Sequence, residues 1–78
     1  MELIEYKNHF ITYQRQGNDK NGNSIYLVNI FQKMSFGNWQ NVNYWRCKDK
    51  KLDKYNNIRM QSYNIEKDCK KLIESMEK

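Results

Sequence analysis

The longest apolar run in the chain is Ile25-Tyr26-Leu27-Val28-Asn29-Ile30-Phe31. All but Asn29 are aromatic, β-branched or leucine, and the run is too short for a buried helix, so it predicts a strand over residues 24–34. Tyr26, Val28 and Ile30 form one unbroken face, expected to meet a helix. The other face, Ile25, Leu27 and Phe31, is interrupted by Asn29 and expected to be partly wet. Upstream, residues 2–15 read as extended, with a bend or bulge at Lys7-Asn8. Residues 17–23, Gly-Asn-Asp-Lys-Asn-Gly-Asn, tolerate left-handed backbone and close a hairpin onto Ser24. Residues 35–38 form the next turn, with Gly37 supplying a positive φ.

A third strand is expected over residues 39–48. Its alternation places Trp45 and Cys47 inward and Val42, Tyr44 and Arg46 outward, because the opposite choice buries an unpaired arginine. Residues 48–57 are the most charged stretch and read as a loop anchored by Leu52. Residues 58–63 make a short fourth strand with Ile58 and Met60 in, Arg59 and Gln61 out. Asn64 then caps a helix whose apolar positions Ile65, Cys69, Leu72, Ile73 and Met76 share one face. Glu66 and Asp68 near its start and Lys78 at its end suit the helix dipole. The expected fold is α+β: an antiparallel three- to four-stranded sheet with one C-terminal amphipathic helix packed across one face, in the order β-β-β-β-α.

Composition narrows this picture. Seventy-eight residues make a single domain with a thin core. A mean hydropathy of −1.10 lies toward the disordered side, but an aromatic content of 14% argues for a folded chain. Eleven Asn, eleven Lys and no Pro or Ala point to an A/T-rich gene, a coding trait that suits a mobile genome. No window approaches a membrane span and the N-terminus lacks a signal-peptide core, so a cytoplasmic protein without membrane contact is expected. In a reducing compartment Cys47 and Cys69 are expected to be free and buried.

The net charge of +5 is concentrated in residues 41–63, where Arg46, Lys48, Lys50, Lys51, Lys54 and Arg59 face only Asp49 and Asp53. That pattern suits an anionic partner; the plainer account is a solvated loop. Catalytic signals are weak. His9 is the lone histidine and reads as solvated or incidental, the two cysteines lack metal-site spacing, and the Gly17–Gly22 loop lacks a phosphate-binding pattern. No enzyme, metal or cofactor is expected.

Nucleic acid is the sharper candidate, DNA and RNA both fitting. Arg46, Lys48, Lys50, Lys51, Lys54 and Arg59 can neutralise phosphates, and outward Tyr44, Asn43 or Gln61 can meet bases or sugar. The stretches KNGNSIYLVNIF and SYNIEKDCKKLIESM, a strand and a closing helix, resemble the integrase N-terminal, AP2-like DNA-binding module. The likeness spans about residues 20–76 and implies a sheet face laid on the major groove. A second candidate comes from another class. A small A/T-rich chain with an aromatic sheet looks like a phage or mobile-element accessory protein that binds and inhibits a host protein, such as a defence nuclease. Ile25, Leu27, Phe31, Phe36 and Trp39 would then form the contact. Burial of those residues under the N-terminal segment or in a homodimer is the plainer account.

Overall fold

The central apolar run forms β3 (Ser24–Lys33), the strand on which the sheet is built. A computed structural model describes residues 2–46 and 52–76. Around β3 lie β1 (Glu2–Tyr6), β2 (His9–Asn18), β4 (Trp39–Asn41), the single-turn α1 (Asn43–Arg46), β5 (Ile58–Ser62) and α2 (Ile65–Met76). All pairings are antiparallel. One edge of β3 pairs with β2, which pairs in turn with β1. The other edge is shared end to end: β5 takes Ser24–Val28 and β4 takes Phe31–Lys33. The fold is α+β, an antiparallel sheet with a C-terminal helix. Among the described residues, no helix is long and apolar enough to cross a membrane.

The helix lies on the expected face. Ile65, Cys69, Leu72 and Ile73 pack against Ile11, Val28, Ile30, Val42 and Ile58, with Tyr13, Tyr26 and Met60 partly buried around them. Burying one such aliphatic side chain stabilises by about 1.5–3 kcal/mol. Asn64 caps α2 as expected, its Oδ1 accepting from the Lys67 N–H at 3.2 Å. Ile58 is buried and Arg59 and Gln61 are exposed, also as expected. Leu52 bridges to Ile58 and packs on the core.

Three local expectations are corrected. The Lys7-Asn8 bend is a tight two-residue turn, both residues at positive φ (46° and 63°), so the first extended segment is two paired strands. His9 is buried, its Nδ1 donating to the Lys7 carbonyl at 2.7 Å, and is not solvated. The third strand stops at Asn41. There the Asn41 Oδ1 accepts from the Asn43 N–H at 2.8 Å, a side-chain bond that competes with the ladder, and the chain winds into α1. Val42, expected outward, is buried, while Trp45, expected inward, is 54% exposed beside exposed Arg46. A helical turn removes the choice between burying one or the other. Cys47 lies outside the described residues.

The stretch of β3 between its two partners would leave backbone groups open at Val28 and Ile30. Asn43 fills that gap. It is fully buried; its Oδ1 accepts from the Ile30 N–H at 3.2 Å, and its Nδ2 donates to the carbonyls of Val28 at 3.1 Å and Asn56 at 2.6 Å. One side-chain amide thus stands in for a strand residue.

Candidate functional site

With α2 on one face, the strand register assigns the other face to Phe10 and Thr12 of β2, and to Leu27, Asn29, Phe31 and Lys33 of β3. Leu3 and Glu5 of β1, Trp39 and Asn41 of β4 and Arg59 and Gln61 of β5 share it. Phe10 lies opposite Phe31, with ring centroids 6.4 Å apart, and Trp39 packs 5.4 Å from Phe10. The three rings line an open pocket of about 240 Å³.

Beside the pocket runs a row of asparagines. Asn41 Nδ2 donates to Asn29 Oδ1 at 2.8 Å, Asn29 Nδ2 to Asn57 Oδ1 at 3.1 Å, and Asn57 Nδ2 to Asp53 Oδ2 at 3.1 Å. The Asp53 carboxylate also accepts the N–H groups of Tyr55 at 2.8 Å and Asn57 at 2.9 Å. These bonds, the Asn57 backbone N–H foremost, hold its carboxyl below the usual carboxylate range. The ionised end fixes which way each amide points. Each asparagine nevertheless keeps an N–H and a carbonyl lone pair for another partner. Arg59 and Lys33 carry no ion pair among the described residues, and they stand toward opposite ends of the face, beside Leu27 and Trp39. Together these groups can hold a flat heteroaromatic ring, hydrogen-bond its edge and neutralise flanking anions.

On the helix side part of the charge is paired, while Lys67 and Lys71 of α2 are exposed. Lys70 pairs with Glu66 at 3.1 Å, and the Tyr6 hydroxyl donates to Glu74 at 2.5 Å. Cys69 is buried under α2, and burial pushes its thiol up to about 12. Among the described residues no group of three His, Cys, Asp or Glu side chains is placed to hold a metal.

The residues expected to contact nucleic acid are scattered rather than gathered. Arg59 and Gln61 lie on the open face. Tyr44 and Arg46 are exposed on α1, and Lys54 is exposed on the loop before β5, 5.0 Å over the Tyr55 ring. Asn43, expected outward, is buried and bonded to backbone, which corrects its placement as a contact. Lys48, Lys50 and Lys51 fall outside the described residues. Of the set expected to contact a protein, Phe31 and Trp39 share the aromatic pocket and Leu27 is half-buried on the same face. Phe36 is exposed on the β3–β4 turn. Ile25 is buried, which takes it out of any contact surface.

Phe10, Asn29, Asn41, Asn57 and Lys33 were not singled out by the sequence. Asn29 had left a trace, as the polar break in an apolar face. Phe10 reaches Phe31 only through the register that the Lys7-Asn8 turn imposes. No family model, curated protein or solved structure matches the chain.

Proposed function

We propose that the protein is a small non-enzymatic nucleic-acid-binding module of the cytoplasm that uses the sheet face opposite α2. The observation that carries this reading is the fixed asparagine row beside an aromatic pocket, with Arg59 and Lys33, which carry no ion pair among the described residues, on the same face of a chain of net charge +5. Basic groups attract the backbone and amides read base edges. The open-face carboxylate Glu5 sits on β1 opposite Phe10 and lines a cavity with Lys33 and Trp39, so it bounds the pocket on the side away from the asparagine row, and Asp53 accepts the N–H groups of its own turn.

The test compares two double variants that remove equal charge from opposite sides. Arg59→Gln with Lys33→Gln should weaken binding of labelled nucleic acid in anisotropy titrations. It should also flatten the slope of log affinity against log salt by about 0.7–0.9 per lost contact. Lys67→Gln with Lys71→Gln, both exposed on α2, should change affinity much less. Equal loss in the two variants would leave only net-charge attraction and defeat the open-face reading.

A further inference from the structure

From the open face we infer that the ligand is single-stranded nucleic acid, with an unpaired base seated in the Phe10–Phe31–Trp39 pocket and its edge bonded by the asparagine row. This rests on the nucleic-acid reading above and goes beyond it by excluding the duplex groove.

Width is the first reason. At the level of the pocket Glu5, Phe10, Phe31 and Asn41 lie side by side, four strands across. At about 4.8 Å per strand the outer backbones stand about 14 Å apart, before side chains are added. The major groove of B-DNA is about 12 Å wide and admits a helix or a two-stranded ribbon, so this face does not enter it flat.

The second reason is chemical. The pocket presents ring surface, with Trp39 48% exposed and tilted 50° to Phe10, which is itself tilted 59° to Phe31. Ring surface is matched by the flat face of a base, which a duplex hides within its stack. The neighbouring amides are held at fixed orientation and present the donor and acceptor that the hydrogen-bonding edge of an unpaired base needs. From Leu27, opposite Arg59, to Lys33 is about 20 Å of strand, so the two cations lie far enough apart to meet different phosphates of one extended strand. That separation favours a polymer over a free nucleotide.

The experiment uses the full chain carrying Trp45→Phe, which leaves Trp39 as the sole tryptophan; Trp45 is exposed on α1, away from the pocket. Oligothymidylate, oligouridylate and a blunt DNA duplex of the same length are titrated in turn. A single strand should quench Trp39 and bind at least about tenfold tighter than the duplex. In the same titrations Trp39→Ala, read by anisotropy, should weaken single-strand binding about 5- to 150-fold while leaving the salt slope unchanged, because stacking releases no counterion. Duplex binding as tight as single-strand binding, with Trp39 unquenched and the salt dependence intact, would overturn this inference while the module reading stood. Binding of none of the three probes would remove both.

Discussion

Replacing Asn43 tests how the sheet is held together. Asn43→Ala deletes three hydrogen bonds and leaves the Ile30 N–H and the Val28 carbonyl buried without partners, with the Asn56 carbonyl only part-buried. Each buried group left open costs about 1–3 kcal/mol, so the variant should lose about 3–5 kcal/mol. A chain of this length has a total stability of roughly 4–12 kcal/mol, which makes that loss a large fraction of it. Urea unfolding followed by circular dichroism reads the change as a lower midpoint at unchanged slope. Asn43→Asp sharpens the test. Its carboxylate keeps the bond from Ile30 but turns an anion toward two carbonyls, so folding favours the protonated acid and raises its pKa above the unfolded value. Stability of Asn43→Asp should therefore be best below the ordinary aspartate pKa and fall as pH rises through the raised one. An Asn43→Ala loss under about 1 kcal/mol, or an Asn43→Asp variant indifferent to pH, would refute the claim that this amide completes the ladder.

Two further outcomes follow from the helix side. The Tyr6 hydroxyl bond, and then Lys7, hold the Glu74 carboxyl below its usual value, so this contribution is present above the unfolded carboxylate pKa and lost as pH falls through the folded one. Tyr6→Phe should move the Glu74 titration, followed by carboxyl NMR, up toward the ordinary range; an unchanged curve would show that the hydroxyl does not set it. With its thiol pushed up to about 12 and fully buried, Cys69 should resist thiol reagents at neutral pH. In a Cys47→Ser background its labelling should keep pace with global unfolding, and rapid labelling of folded protein would contradict its burial under α2.

The parts of the fold that follow from period alone were legible in the sequence. The alternation of Tyr26, Val28 and Ile30 and the helical spacing of Ile65, Cys69, Leu72 and Ile73 identified the two facing surfaces, and the structure joins them. What was not legible depended on single side chains acting on distant backbone. Residues 42–46 look like a strand until Asn41 and Asn43 are seen to bond elsewhere, and Asn43 finds its partners in β3. The Lys7-Asn8 turn places a lysine at positive φ, which that residue rarely adopts, so the sequence announced a bend there and not a hairpin. Missing that turn hid Phe10, and with it the pocket. The asparagine row was invisible for a similar reason: its members come from β3, β4 and the loop before β5, and become neighbours only once β3 carries two partners on one edge.

That divided edge also dictates an order of assembly. β1 to β4 are joined by short reversals and pair with their sequence neighbours, so their contacts close small loops. β5 must instead return to β3, Ser62 reaching Ser24 and Ile58 reaching Val28. Loop closure at that range costs more entropy than a hairpin, and an isolated helix as short as α2 is marginal in water. The N-terminal meander is therefore expected to form first, with β5 and α2 arriving together as a closing unit. Phe10, Phe31, Trp39, Asn29 and Asn41 all belong to the early part, whereas Arg59 and the Asn57–Asp53 end of the row come with the late one. The pocket and Lys33 are then in place before Arg59 arrives, and docking of the last strand supplies the second cation of the face and the ionised end of the asparagine row.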